Sequence, residues 1–329
     1  MIIKRKDLAQ LLDAVAAERT LIAPRNVDGV SLYRPVEDST HVVWDYIRPT
    51  LSAKEAFFPA TERLLTIKKT GQDIELNQTL PEGQQVIFGL RPCDARGILA
   101  LDAVFLDKEP VDSYYQERRQ NTTLIGLACE EMGETCFCTT MGSAPNDPSG
   151  MDIMLTPVDS GFELQAYSDK GTLFLGDLGL QIEKIAPVNP QSAIDFPQPT
   201  GSASKFNFQY WVEMSERCLS CRVCAYVCPT CRCFDVRDEA LAGNGGGDEF
   251  ERIRCWDSCA GEIYRRVAGG HNPRAAKAQR MRNRFQCKIY YYPQQYGPLA
   301  CTGCGRCIDS CPVNIDITEI MDHLAEVSA

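Results

Sequence analysis

The sequence predicts a mixed α+β protein, with an α/β domain over residues 1–200 followed by a mainly α-helical domain over 201–329. Three observations carry this reading. The first part alternates short apolar runs with stretches of helical spacing. A segment rich in Pro, Gly and Ser follows, from Ala186-Pro187 through Pro197-Gln198-Pro199-Thr200-Gly201-Ser202-Ala203-Ser204, and reads as an interdomain connection. Beyond it the strand signals become few and the cysteines become dense. A chain of 329 residues fits two domains at ~100–200 residues each.

Taken in order, Arg5 to Ala17 has helical spacing, with Leu8, Leu11, Leu12 and Val15 on one face. Gln85 to Leu90 reads as a short buried strand leading into Arg91-Pro92-Cys93. Asp94 to Phe105 reads as a helix, with Asp94 as a candidate N-cap. A second strand, Thr123 to Ala128, ends directly at Cys129. After Gly150, the segments Asp152–Leu155, Phe162–Ala166 and Thr172–Leu175 read as a small strand meander. In the second domain, Cys255 to Val267 and Arg274 to Arg284 read as helical. The run Gly243-Asn244-Gly245-Gly246-Gly247 has neither a preceding strand nor a following Lys-Ser/Thr, so it reads as a surface loop and not a phosphate loop.

Composition narrows the function class. Hydrophobic residues make up 44% and charged residues 24%, ordinary for a globular protein. The net charge of −10 gives no general attraction for a phosphate backbone, which argues against nucleic acid as a partner. No uncharged apolar run approaches the ~18 residues of a membrane span. The first residues meet Asp13 and Glu18 too early for a secretory signal, so a cytoplasmic location is expected. The informative number is 17 cysteines. An odd count in a chain without a signal peptide argues for metal binding over a disulfide framework. His41, His271 and His323 are too few and scattered for a His-dominated site.

Two runs share one spacing: Cys218-x2-Cys221-x2-Cys224-x3-Cys228-Pro229 and Cys301-x2-Cys304-x2-Cys307-x3-Cys311-Pro312. This is the [4Fe–4S]-binding run of two-cluster ferredoxins, in which the fourth cysteine serves the other cluster. Cluster A then takes Cys218, Cys221, Cys224 and Cys311, and cluster B takes Cys301, Cys304, Cys307 and Cys228. Structural zinc leaves no reason for a repeated quartet ending in proline. The long gap from Cys228 to Cys301 favours a helical ferredoxin domain over a compact one. Within it, Arg265, Arg266, Arg274, Lys277, Arg280, Arg282, Arg284 and Lys288 face one acid, Glu262, across residues 262–288. That stretch is either a solvated helix face or compensation for anionic clusters and docking of an acidic partner subunit.

Both strands of the first domain end at a cysteine. If they are parallel neighbours, Cys93 and Cys129 share the carboxyl edge of the sheet, where α/β proteins bind ligands. With Cys136 and Cys138 they would hold a third [4Fe–4S] cluster. Of the remaining Cys231, Cys233, Cys255, Cys259 and Cys287, the four other than Cys287 could hold a further metal, although free cysteine is commonly a small buried hydrophobe.

Several blocks carry a wider resemblance: Arg91-Pro92-Cys93-Asp94, Thr135-Cys136-Phe137-Cys138, Cys228-Pro229-Thr230-Cys231-Arg232-Cys233-Phe234-Asp235, Trp256-Asp257-Ser258-Cys259, Ala268-Gly269-Gly270-His271-Asn272-Pro273-Arg274 and Cys301-Thr302-Gly303-Cys304-Gly305-Arg306-Cys307. In order and spacing the chain resembles the iron–sulfur β subunit of cytoplasmic sulfhydrogenases and the corresponding iron–sulfur subunit of anaerobic sulfite reductase. Such subunits also occur in flavin oxidoreductase modules coupled to heterodisulfide reductase. Cys287 departs from the family, which carries histidine there in a basic-aromatic stretch. The resemblance implies an electron-transfer subunit that relays electrons between a partner holding FAD and NAD(P) and a separate catalytic subunit of hydrogenase, sulfite reductase or heterodisulfide reductase type. Exposed cubane clusters suggest an anaerobic or low-oxygen setting. The chain has no G-x-G-x-x-G fingerprint of its own, which fits that role. The alternative is a reductase in its own right, with the Cys93/Cys129/Cys136/Cys138 site as the catalytic cluster.

Overall fold

The structure, a computed structural model, describes residues 1–186, 209–241, 248–297 and 299–326. The connection expected at 186–204 lies, beyond Ala186, outside the described residues, as does the loop Gly243–Gly247.

The larger sheet is mixed and seven-stranded, in the order β1-β9-β8-β7-β6-β2-β3. Its members are β1 (Ile2–Ile3), β2 (Thr20–Val27), β3 (Val30–Val36), β6 (Gln85–Leu90), β7 (Thr122–Leu127), β8 (Ile153–Val158) and β9 (Gly161–Ala166). β2, β6, β7 and β8 are parallel, with Ile87 opposite Leu124, while β3, β9 and β1 join antiparallel at the margins. β6 and β7 are buried over almost their whole length, as parallel strands covered on both faces must be. One face packs on the helix Arg5–Glu18 through Leu8, Leu12 and Val15, and on Phe174 and Leu175. Each such side chain contributes roughly 1.5–3 kcal/mol on burial. The other face packs on the helix Pro92–Phe105 through Ala95, Ile98, Leu101 and Phe105.

A smaller antiparallel sheet runs β10-β11-β4-β5, from β4 (Thr61–Thr70), β5 (Asp73–Gln78), β10 (Phe234–Ala240) and β11 (Glu249–Trp256). It combines strands from both sides of residue 200, because β11 pairs with β4, Cys255 opposite Thr61. The buried Arg254 fastens that joint, donating to Glu62 at 2.7 Å. Sequence patterning misses β10 because it is exposed over almost its full length and carries charge on both faces, such as Asp238, which pairs with Arg252 of β11. The described residues beyond 200 therefore hold two strands beside their helices, and the mixed α+β class stands.

Three further expectations are corrected. Thr172–Leu175 is not a strand but part of the helix Asp169–Asp177, which Ser168 caps by accepting from the Gly171 amide at 3.0 Å. Cys255–Val267 is not a helix: Cys255 and Trp256 end β11, and the segment turns where Asp257 and Ser258 bond to nearby amides. Asp94 is not the N-cap of its helix. Arg91 holds that position, with Pro92 following, and Asp94 sits in the first turn. The helix expected at Arg274–Arg284 runs Lys277–Gln286 and continues through a wider π-type turn, Cys287–Tyr291. It packs with the helices Tyr210–Arg217 and Ile317–Glu326 around Trp211, Met281, Phe285 and Ile320. Phe137 and Met141, from the loop after β7, enter the same core.

Candidate metal centres

The two cysteine runs adopt the same backbone. In the first, Ser220 and Arg222 have left-handed φ of 59° and 66°; in the second, Gly303 and Gly305 hold the same positions at 64° and 73°. A four-residue helix follows in each, Val223–Tyr226 and Arg306–Asp309. Two left-handed residues between three thiols curl the loop, so that successive side chains aim inward. The second run needs glycine. A Cβ on Gly303 would lie 2.5 Å from the Phe137 carbonyl and 2.6 Å from the Cys138 amide nitrogen.

Cys218, Cys221, Cys224 and Cys311 line one small apolar cavity of about 60 Å3, which Cys307 also borders. The Ser220 amide donates to Cys218 Sγ at 3.3 Å, and the Ile315 amide donates to Cys311 Sγ at 3.2 Å. Lys277, Arg280 and Arg284 edge the same cavity. Its rim is open to the outside at the exposed Cys221 and at Leu219, which is 64% exposed.

Cys228 leaves its own run and lies among Cys301, Cys304 and Cys307, close enough that its charge acts on all three. Burial pushes the Cys301 thiol up to about 11, against the pull of Lys288. Cys228 shifts the other way. A hydrogen bond from Cys231 and the Lys288 and Arg284 cations hold it well below the usual thiol value. Lys288 Nζ is 3.0 Å from Cys228 Sγ and 2.9 Å from Thr230 Oγ1.

Cys93, Cys129, Cys136 and Cys138 line a third cavity of about 20 Å3, bordered by Gly303 and Cys304 of the second run. The sheet explains the first two. β6 and β7 are parallel neighbours, so their carboxyl ends lie side by side, and Cys93 enters at the start of the helix Pro92–Phe105. The loop with Cys136 and Cys138 closes the site and is fixed by the Phe137 amide donating to the Gly303 carbonyl at 2.8 Å. Burial raises the Cys93, Cys129 and Cys138 thiols, Cys138 to about 11. Arg48 donates to Cys136 Sγ at 3.0 Å.

The Cys301 group adjoins both of the others: Cys304 borders the cavity of the Cys93 group and Cys307 borders that of the Cys218 group. Among the described residues no three His, Cys, Asp or Glu converge on the position of one metal ion. Sulfur donors arranged around a space, flanked by amides and cations, fit a polynuclear anionic group better than a lone ion.

Sequence reasoning passed over the groups that bind the two parts together. Arg306 is 2% exposed and donates both terminal nitrogens to Asp94, at 2.7 and 2.8 Å. Lys54, also buried, donates to the carbonyls of Cys228 at 3.0 Å and Cys231 at 3.2 Å. Arg306 and Asp94 stood inside recognisable blocks, but Lys54 had no signal of its own. The basic stretch is not a solvated face where the helix carries it. Arg280, Arg282, Arg284 and Lys288 are buried, while Arg265 and Arg266 are exposed. Cys255 lies on β11, and the remaining Cys231, Cys233, Cys259 and Cys287 line a separate cavity.

Residues 217–315 match the family described as a 4Fe-4S dicluster domain. The chain is similar to sulfhydrogenase 2 subunit beta of Pyrococcus furiosus, 32% identical over 297 residues that cover 86% of this chain and 85% of that one. No solved structure matches the chain.

Proposed function

The chain belongs to the sulfhydrogenase β-subunit family and is an iron–sulfur electron-transfer subunit, and from that premise we propose that it carries three [4Fe–4S] clusters in series. Cluster A is held by Cys218, Cys221, Cys224 and Cys311. Cluster B is held by Cys301, Cys304, Cys307 and Cys228, and the third by Cys93, Cys129, Cys136 and Cys138. The supporting observation is that the Cys301 group borders both other thiol cavities, through Cys307 at the Cys218 group and Cys304 at the Cys93 group. In a complex the chain would relay electrons between a subunit holding FAD and NAD(P) and a separate catalytic subunit.

A [4Fe–4S] cluster supplies one-electron exchange without bond rearrangement, at a potential set by nearby charge, hydrogen bonds and exposure. The chain's residues set those conditions. Crossed cysteines tie the two runs together and fix their separation. Met281, Phe285 and Ile317 keep water from the Cys218 group. Lys288 and Arg284, buried among thiols, would stabilise the added negative charge of a reduced cluster held there. The exposed rim at Cys221 and Leu219 gives a partner close approach to the Cys218 group.

Among the described residues no helix is long and apolar enough to cross a membrane. The test is iron and acid-labile sulfide per chain on protein purified without oxygen. About 12 iron is expected at these three sites, and Cys129→Ala should remove about four. An unchanged count in Cys129→Ala would reduce the N-terminal thiols to a structural role. Zinc-loaded, iron-free protein would overturn the electron-transfer reading. Turnover of a small molecule by the isolated chain with an artificial donor, lost in Cys129→Ala, would favour the reductase alternative.

A further inference from the structure

Four thiols outside the three proposed sites share one cavity of about 490 Å3: Cys231, Cys233, Cys259 and Cys287. Three separate segments bring them there. Cys231 and Cys233 precede β10, Cys259 follows β11, and Cys287 ends the helix Lys277–Gln286. The β10–β11 ladder sets the closest approach. Phe234 pairs with Trp256, and the Asp257 amide donates to the Cys233 carbonyl at 2.9 Å. The two chains therefore leave the sheet together and bring Cys233 and Cys259 to the same cavity. Tyr264 lines the same cavity.

The charge around these thiols is one-sided. Arg232, Arg265, Arg274, Arg284 and Lys288 line the cavity, and among its described lining residues there is no Asp or Glu. Among the described residues no salt bridge joins any of the five to a carboxylate. Arg284 and Lys288 are only 5% and 4% exposed, so water does not offset their charge. The thiols of the two runs answer part of it, through Cys224 and Cys228, but Arg232, Arg265 and Arg274 lie beyond them. Inert core thiols sit in apolar packing. Four thiols in a cationic cavity form instead a donor set for an anionic occupant.

We propose that Cys231, Cys233, Cys259 and Cys287 hold a fourth iron–sulfur cluster beside the Cys228 group. This replaces the set expected from sequence. Cys255 belongs to the β11–β4 ladder and does not line the cavity, whereas Cys287 does. The proposal rests on the iron–sulfur reading of the chain but not on the third cluster at Cys129. Lys288, 3.0 Å from Cys228 Sγ, also lines this cavity, so the new site adjoins the Cys228 group. Its outer wall carries the exposed Arg265, giving that site a cationic approach from outside.

The test compares iron and sulfide per chain, with quantified electron paramagnetic resonance of the dithionite-reduced full-length protein, in wild type and single variants. Cys233→Ser and Cys259→Ser are expected each to lose about four iron for a cubane, or about two for a [2Fe–2S] cluster, with the signals of the other clusters kept. Cys255→Ser is expected to lose none. Unchanged counts in both Cys233→Ser and Cys259→Ser overturn the proposal. So does a Cys233–Cys259 disulfide in the iron-loaded wild type. Where a variant does not fold, the wild-type count decides: about 16 iron supports the fourth site, and about 12 with a four-iron loss in Cys129→Ala excludes it. A wild-type count of about 12 with loss in Cys259→Ser but not in Cys129→Ala removes the third cluster and keeps this one.

Discussion

Removing the charge of Lys288 tests whether this chain tunes its clusters through buried cations. Lys288 Nζ sits 3.0 Å from Cys228 Sγ, and both groups are buried. At an effective dielectric of about 20, a unit charge at that distance is worth at most about 5.5 kcal/mol. At 59 mV per tenfold change for one electron, that ceiling corresponds to about 240 mV. An added electron spreads over iron atoms beyond the sulfur, so roughly 100 mV is the realistic effect on the nearest cluster. The sign follows from charge: without the cation, reduction is harder and the potential falls. Lys288→Met in anaerobically purified protein, titrated with mediators under electron paramagnetic resonance, should move one signal negative by about 100 mV. Lys288→Arg, which keeps the charge, should move it by much less. A Lys288→Met shift below about 20 mV, with the cluster content intact, would refute the argument.

The Asp94–Arg306 pair, both members 2% exposed or less, fixes the second cysteine run onto the α/β part. Asp94→Asn leaves an uncompensated buried guanidinium and should cost about 3–5 kcal/mol in guanidinium unfolding; a loss under about 1 kcal/mol would contradict that role. Gly303→Ala places a methyl against the Phe137 carbonyl and the Cys138 amide, so iron should fall at both the Cys301 and the Cys136 groups. Gly269→Ala, also at positive φ but with nothing within 4 Å, should keep its iron, and equal loss in the two variants would argue against a specific clash. Leu219→Asp, at the exposed rim of the Cys218 group, should weaken co-purification of the partner subunits while leaving the iron count unchanged; undiminished co-purification would remove that rim as the contact.

Features that depend on local spacing were legible in the chain alone. Two cysteines separated by two residues can aim at one centre only if the loop between them curls, so the repeated runs disclosed their chemistry before any fold was known. The buried strands Gln85–Leu90 and Thr122–Leu127 were equally legible, because parallel strands covered on both faces are apolar throughout. The helix at Arg5–Glu18 was visible from its apolar stripe.

Features that join segments distant in sequence emerged only on folding. β10 left no alternating pattern because it is exposed over almost its full length, and β4, the partner of β11, lies nearly 200 residues away in Cys255–Thr61 pairing. The basic stretch could not be assigned to water or to thiols until its helix was seen to turn Arg284 and Lys288 inward. Likewise, that Cys287 and not Cys255 lines the cavity of Cys231, Cys233 and Cys259 follows from Cys255 standing in the β11–β4 ladder while Cys287 ends the helix Lys277–Gln286. Spacing within a run is fixed by covalent geometry, whereas the meeting of separate runs is fixed by packing, which no single segment encodes.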